Sequence, residues 1–378
     1  MSRNPRNAEY TKEYNRKMLL RLLRTAPMSR AELARQLGLT RAAASLIADD
    51  LLQEGLITET AATGTKVGRT PVPLMLRPDA GYAVGVYLNR DGCTAGIAGM
   101  NGELLTQTRL HLTGVSSSEK LMPLVTTIRG MIAQTGIPWD KLVGIGVSAP
   151  GPLDGENGRI LNPPRFNLWH NTDISSFLSA QLRLPAYLEN NATSLARYNQ
   201  GKAEAQGSRD FLLLLVDSGV GSGIISGDKI LKGAGYFTGE LGHASIDFHG
   251  RICACGNIGC LESYAAIPNL LQDTSFATWK AVIDSLPDPA AQKLLEQEAE
   301  YLAAGIITAT NMVSIDTVLL AGDLLYGIEH LTPLLETAVN SRILRRDILP
   351  LRILGSCSGP NTPVQSAADI AFGRYLMV

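Results

Sequence analysis

Three of the chain's five cysteines, Cys253, Cys255 and Cys260, fall within eight residues, and His243 lies ten positions before the first of them. The spacing H-x9-C-x-C-x4-C puts three thiolates and one imidazole on a single short segment. That is the complete Cys3His donor set of a closed, structural zinc site. Gly256 and Gly259 let the segment fold back so that Cys255 and Cys260 can meet at one ion. Disulfides are the alternative, but Cys253 and Cys255 are too close to bridge comfortably, and three is an odd number. His249 lies inside the same loop with a poorer spacing. Cys93 and Cys357 read as core or edge residues, and His111, His170 and His330 as structural or surface ones.

A chain of 378 residues with 45% apolar content can support two or three packed domains. Its charged first segment, MSRNPRNAEYTKEYNRK, lacks the apolar stretch of a signal peptide, and the apolar run 211–216 is too short to span a bilayer. A cytoplasmic protein without membrane insertion is the expectation. Residues 1–78 carry thirteen Lys and Arg against seven Asp and Glu, while the remainder is net acidic. A basic front end on an acidic body suggests that only the front end meets a polyanion.

The front end has the pattern such a partner needs. Residues 14–24 predict a helix with Met18, Leu19, Leu22 and Leu23 on one face, ended by Pro27. Ser29 and Glu32 form a capping-box pair that opens a second helix. Gly38-Leu39 turns the chain, and Thr40 caps a third helix running from Arg41 to about Glu54. Leu33, Leu37, Leu39, Ile47, Leu51 and Leu52 supply a core. The residues that follow read as a strand over 55–60, a polar loop, and a return strand over 72–76. Helix, glycine turn and helix followed by a hairpin resembles a winged helix-turn-helix DNA-binding domain. Its third helix would offer Thr40, Arg41, Ala42, Ala43 and Ser45 to the major groove, with Arg41 placed to read guanine. Lys66 and Arg69 on the wing suit a narrow minor groove. Leu46 and Ala48 are expected to make the exposed face of that helix less polar than usual.

Beyond Pro78, residues 82–88, 94–98 and 104–106 read as strands, followed by a helix over 118–134 and a strand over 142–147. The plan returns at 211–216, 223–226 and 229–231, with helices at 292–313 and 332–344. A strand-rich hairpin followed by crossover helices, occurring twice, predicts a two-lobed α/β body of actin-like ATPase type with a ligand cleft between the lobes. Specific motifs run along the chain: Gly144-Ile145-Gly146-Val147 with Pro150-Gly151-Pro152, Leu161-Asn162-Pro163-Pro164, Leu188-Glu189-Asn190-Asn191-Ala192, Gly219 to Gly223, Gly239-Glu240-Leu241-Gly242-His243, and the cysteine loop through Glu262. Together with the front end they resemble the ROK family (repressors, open reading frames and sugar kinases), in its transcriptional-regulator branch.

The resemblance implies a pyranose held by Asn190, Asn191, Glu240, His243 and Glu262, with Asn162 approaching from the other lobe. It implies zinc on His243, Cys253, Cys255 and Cys260, with the second imidazole nitrogen facing the sugar. The family's kinases use an Asp base where this chain has Asn191, an amide without useful basicity. Their first phosphate loop becomes Tyr87-Leu88-Asn89-Arg90-Asp91 here, Asp217 precedes the second, and Ala321-Gly322-Asp323 replaces a glycine run. No catalytic residue is therefore assigned. The expected organisation is a winged helix over 1–78, a first lobe over 79–187 completed by a C-terminal helix in 361–378, and a second lobe with the zinc loop over 188–360. The expected function is a repressor on an operator DNA, as a homodimer or homotetramer, responding to a sugar or sugar phosphate. A sugar kinase with an appended DNA-binding domain, or a regulator that answers to a protein partner, are the rival readings.

Overall fold

The computed structural model describes residues 8–60, 72–90, 92–114, 116–205, 207–233 and 237–377. Lys66, Arg69 and Asp91 lie outside the described residues. Helix α1 (Ala8–Thr25) is followed by β1 (Met28–Ser29), α2 (Arg30–Leu37), α3 (Arg41–Gln53), β2 (Ile57–Glu59) and β3 (Pro73–Leu76). The Ser29 hydroxyl accepts from the Glu32 N–H, and the Glu32 carboxylate accepts from the Ser29 N–H at 2.8 Å, so α2 begins in a reciprocal cap. It ends on Gly38 at φ 65°, a left-handed geometry that disfavours any side chain. Thr40 Oγ1 accepts from the Ala43 N–H at 3.2 Å and caps α3. β3 pairs antiparallel with both β1 and β2. The two-residue β1 is new relative to the sequence reading, because two residues carry no periodicity.

Leu33, Ile47 and Leu51 are buried under this head, and Leu37, Leu39 and Leu52 are partly covered. Helix α1 starts six residues earlier than residue 14 and buries Leu20 as well as Leu19 and Leu23, leaving Met18 half-buried. The reason is that α1 has two neighbours. Its leucines share one apolar cluster with Ile57 and Leu74 of the head and with Ala371, Phe372 and Leu376 from the far end of the chain. A helix packed on two sides needs a wider apolar face than the sequence pattern of a single stripe suggests.

The first lobe contains β4 (Tyr82–Asn89), β5 (Gly92–Gly99), β6 (Leu104–Leu110), α4 (Ser117–Thr135), β7 (Leu142–Ala149), the hairpin β8 (Leu153–Asp154) and β9 (Arg159–Ile160), α5 (Ile174–Leu182) and β10 (Ala186–Asn190). Its sheet runs β10-β7-β4-β5-β6, with β4, β5 and β6 antiparallel and β7 and β10 added in parallel. The expected divide after residue 187 falls inside β10, so the first sheet continues to Asn190. Next come α6 (Asn191–Ala205), β11 (Phe211–Val216), β12 (Val220–Ser226), β13 (Lys229–Ile230), α7 (Glu262–Ala265), α8 (Ile267–Leu270), α9 (Trp279–Asp284), α10 (Pro289–Met312), β14 (Thr317–Gly322), α11 (Ile328–Asn340) and β15 (Arg352–Gly355). Their sheet, β13-β12-β11-β14-β15, repeats the first one strand for strand.

Helix α12 (Thr362–Tyr375) returns to lie on β4 and β7 of the first sheet. Two glycines allow the approach: a Cβ at Gly85 would fall 2.2 Å from the Val364 carbonyl, and one at Gly146 only 1.8 Å from that of Ala367. Among the described residues, no helix is long and apolar enough to cross a membrane.

Glu298 on α10 is fully buried in the second-lobe core, and neither carboxylate oxygen has a hydrogen-bond partner. Burial holds its pKa well above the ordinary carboxylate value, so the folded state keeps the proton that the unfolded chain releases. Its contribution to stability is then full below the unfolded pKa and declines as pH rises toward the folded one, at up to about 1.4 kcal/mol per pH unit. Glu298→Gln should match the parent in urea titrations at pH 5 and exceed it at pH 8. Parallel stability profiles for the two proteins would contradict this assignment.

Candidate functional site

Strand β10 ends and helix α6 begins in a polar cleft between the lobes. Asn190 Oδ1 accepts from the N–H groups of Ala192 (2.9 Å) and Thr193 (3.4 Å), which caps α6 and leaves its amide nitrogen beside Gly151. Asn191 is buried. Its oxygen accepts from Ser148 Oγ at 2.7 Å, and its nitrogen donates to the Leu88 carbonyl at 3.0 Å. An ionised carboxylate has no proton to donate to that carbonyl, so an amide fits here where an aspartate would not. Asn191 lines the cleft as expected, but its polar atoms are engaged in joining β4, β7 and α6.

Glu240 and His243 come from the second lobe. Burial pushes the Glu240 carboxyl above its ordinary range; His243 opposes this shift and Glu262 adds to it. Glu262, the first residue of α7, is buried, and both of its oxygens are engaged. Oε1 accepts from Arg90 Nη2 at 3.1 Å and Oε2 from the Val220 N–H at 3.1 Å. Arg90 also donates to the Ser218 carbonyl. Because Arg90 follows β4 in the first lobe, its guanidinium ties the lobes together across the cleft. Arg165 makes a second tie, donating to Asn269 Oδ1 at 3.3 Å. The sequence reading treated Arg90 only as part of an altered loop. The legible signal was a guanidinium introduced opposite a cleft that already held Glu240 and Glu262.

Asn162 is not among the residues that line this cleft; the first lobe reaches it through Pro150, Gly151 and Pro164 instead. Asp217 Oδ1 accepts from the Gly219 N–H at 3.1 Å, so this carboxylate closes the turn that carries the glycines rather than facing outward as a free anion.

The donor atoms of His243, Cys253, Cys255 and Cys260 all lie within 4.8 Å of one another. Cys255 and Cys260 have their sulfurs 3.7 Å apart, and Cys253 Sγ is 3.7 Å from His243 Nδ1. A tetrahedral ion with metal–sulfur bonds of about 2.3 Å spaces its sulfurs by about 3.8 Å, far beyond a disulfide bond. Burial and the neighbouring Cys255 and Cys253 sulfurs push the Cys260 thiol up to about 12. A bound cation reverses that tendency by compensating the thiolates. The fold-back is enforced at Gly259, φ 71°, where a Cβ would fall 1.7 Å from the Asp247 carbonyl. The Asn257 amide braces the loop against Cys260 Sγ and the His243 carbonyl. These residues can hold a metal ion, and His243 belongs both to that cluster and to the lining of the cleft.

On the head, Thr40, Arg41 and Ala42 are exposed, and Ala43 and Ser45 are half-exposed. Leu46 is 67% exposed, but Ala48 is fully buried and does not belong to the outer face. The acidic groups of α3 and its C-terminus are tied back: Asp49 to Arg30 (2.5 Å), Asp50 to Lys12 (2.7 Å) and Glu54 to Arg16. The N-terminal end of α3 is left with Arg41 and the positive end of the helix dipole.

Arg24 joins head to body. Its Nη2 is 2.6 Å from Asp369 on α12, its Nε donates to the Met100 carbonyl at 3.0 Å, and its guanidinium stacks 4.5 Å from the Phe372 ring centroid. Helix α12 also touches α6, where Tyr198 reaches Gln365. A continuous packed route therefore runs from the cleft at Asn190 through α6 and α12 to α1.

The ROK family model matches residues 83–373. The xylose repressor of Bacillus spizizenii is 27% identical over 374 residues, covering 97% of each chain. The DNA-binding transcriptional dual regulator NagC of Escherichia coli is 26% identical, covering 90% of this chain and 87% of its own. Among solved structures, a ROK family transcriptional regulator homologous to the Escherichia coli MLC protein superposes with TM-score 0.79 at 23% identity, over 97% of this chain and 98% of its own. A ROK hexokinase from Thermus thermophilus reaches TM-score 0.63 at 25% identity; it covers 78% of this chain but 98% of its own.

Proposed function

Taking as premise that this chain belongs to the ROK family, as the match over residues 83–373 establishes, we propose that it is a sugar-responsive transcriptional repressor. The observation that carries this reading is the continuity from cleft to head. The polar cleft of Asn190, Glu240, His243 and Glu262 meets α6; α6 packs on α12, and α12 holds α1 of a helical head. Relatives named as xylose and N-acetylglucosamine repressors match through both parts.

On this reading residues 1–78 are a winged helix-turn-helix. Thr40, Arg41, Ala42, Ala43 and Ser45 enter the major groove, and Lys66 and Arg69 reach the flanking minor groove. The His243, Cys253, Cys255 and Cys260 site holds structural zinc, and the metal orients the imidazole toward a sugar hydroxyl. The body does not transfer phosphate: Asn191 is a bonded amide, and Arg90 lies across the cleft. A sugar that engages Glu262 exchanges one hydrogen-bond partner for another at the lobe junction, and the lobes change their closure. The head moves with α12. Two heads in a homodimer or homotetramer give paired half-sites, and typical coupling of about 1–3 kcal/mol changes DNA occupancy roughly 5–150-fold.

The test is fluorescence-anisotropy titration of zinc-loaded protein on operator-containing DNA, with xylose, glucose, N-acetylglucosamine and their phosphates, each with and without Mg-ATP. One sugar should lower DNA affinity at least about fivefold with no contribution from ATP. Release of ADP that depends on the sugar would establish a kinase instead. A separate variant checks the head: Arg41→Ala should cost about 1–3 kcal/mol on the preferred site and reduce discrimination at one base pair. An unchanged sequence preference would remove Arg41 from the base-reading set.

A further inference from the structure

Leu46 projects from helix α3 with 67% of its surface exposed. The buried residues of that helix, Ala44, Ile47, Ala48 and Leu51, fix the direction it faces. At about 100° per residue they centre on the side roughly opposite Leu46, so the leucine stands at the outermost point of the helix. Ala42 and Ala43, one turn toward the N-terminus, flank it and are exposed and half-exposed. Three side chains with no hydrogen-bonding atom therefore lie together on the outer face. One turn the other way stand Asp49 and Asp50, engaged by Arg30 at 2.5 Å and by Lys12 at 2.7 Å. A single exposed leucine is ordinary on a protein surface. This one has surroundings that select a partner. The nearby carboxylates are neutralised, and Arg41 and the helix dipole leave the N-terminal end positive. An apolar centre beside positive charge matches a DNA major groove, where phosphates border a floor whose apolar group is the thymine 5-methyl.

We infer that Leu46 reads thymine: its side chain packs on a thymine methyl in each operator half-site, with Ala42 and Ala43 beside it. The inference rests on the DNA-binding reading and deepens it by naming a base. Guanine, cytosine or adenine under the leucine would lose water from a ring nitrogen, carbonyl or amino group and gain no partner in exchange. Thymine offers a methyl that gains from the same burial. Leu46 follows Arg41 by five positions, a rise of about 7.5 Å along the helix, which spans about two base pairs for a helix lying along the groove. The thymine is therefore expected about two base pairs from the guanine assigned to Arg41.

The test begins with the full chain selecting a duplex from a random-sequence library. Fluorescence anisotropy then measures that duplex with each thymine replaced in turn by deoxyuridine, which keeps the base pair and lacks only the methyl. One replacement in each half-site should weaken binding about fourfold, the effect of burying one methyl group. The same replacement should leave the affinity of Leu46→Ala protein unchanged, because the side chain that senses the methyl is gone. At that position 5-methylcytosine should bind the parent protein more tightly than cytosine does. A melting curve shows that the variant is folded, and Leu46→Ser carries the comparison if the alanine variant is not. The absence of any methyl-sensitive thymine overturns the inference, as does a penalty that persists without Leu46; in either case the DNA-binding reading stands. Failure to select any duplex overturns both.

Discussion

Cys260→Ala should eliminate stoichiometric zinc, lower the unfolding midpoint of the body and abolish sugar binding, while operator affinity at low temperature falls far less. Closed Cys3His sites contribute folding free energy directly, on the order of 10 kcal/mol in small zinc domains, although a loop held by a larger body loses only the part that organises the loop. Here that part is decisive for the cleft. The segment that closes on the metal begins at His243 and ends at Cys260, two residues before Glu262, so both His243 and Glu262 depend on it for their position. Without the ion, buried thiols remain together with nothing to compensate them, and the loop is left to its hydrogen bonds, among them Ile246 N–H to the Gly259 carbonyl, Arg251 to Tyr264 and Ser263, and the Asn257 braces. The head packs in a cluster shared with the first lobe and α12, distinct from the second-lobe core beside the metal loop, and should survive. Metal analysis, calorimetric sugar titration and anisotropy on DNA are the three measurements. Cys260→Ala protein that still binds one zinc and still binds sugar would disprove a closed four-ligand site.

Asp369→Ala should have the next largest effect, and on a different property. Arg24 and Asp369 are each only 16% exposed, so removing the carboxylate leaves a nearly buried guanidinium uncompensated, at a cost of about 3–5 kcal/mol. The expected result is a head that melts earlier than the body, and sugar that still binds but no longer changes DNA affinity. Joint replacement with Arg24→Met and Asp369→Leu separates the two consequences. An apolar pair at the same place can recover most of the stability, since it strands no charge, but it lacks the bond from Arg24 to the Met100 carbonyl that fixes the register between head and body. Recovered stability with weakened sugar response identifies the pair as part of the coupling. Full recovery of both would reduce it to a structural contact.

Some of this was legible in the sequence, for reasons specific to each feature. The Cys3His loop could be read because metal ligands are chemically distinctive and close in sequence, and the structure brings those four donor atoms together. The caps at Ser29 and Thr40 were legible because capping is local chemistry. Strand β11 was readable as six consecutive apolar residues buried on both faces. What escaped was mostly long-range. Leu20 looks like an off-face residue until the cluster that the head shares with α12 is assembled around it. Arg90 looks like simple loss of a glycine loop until Ser218 and Glu262 are placed opposite it. Asn162 sits in a motif that resembled a cleft segment, yet the backbone carries Pro164 to the cleft instead. Ala48 faces inward because helix α3 is rotated by its contacts with α1 and α2, which a single helix cannot announce.

The position of α12 imposes an order on biosynthesis. Helix α1 ends at Thr25 and its docking partner begins only at Thr362, so more than three hundred residues separate them in translation. At roughly 5–20 residues per second the ribosome needs from about a quarter of a minute to over a minute to cover that distance. Throughout that interval the head can already fold around Leu33, Ile47 and Leu51, but the surface formed by Ala371, Phe372 and Leu376 does not yet exist. The strands of the first sheet are all made by Asn190, but the face at Gly85 and Gly146 stays uncovered until the same helix emerges. On the proposed coupling, a nascent chain carries a reading head that no effector governs until α12 leaves the exit tunnel and closes both interfaces together.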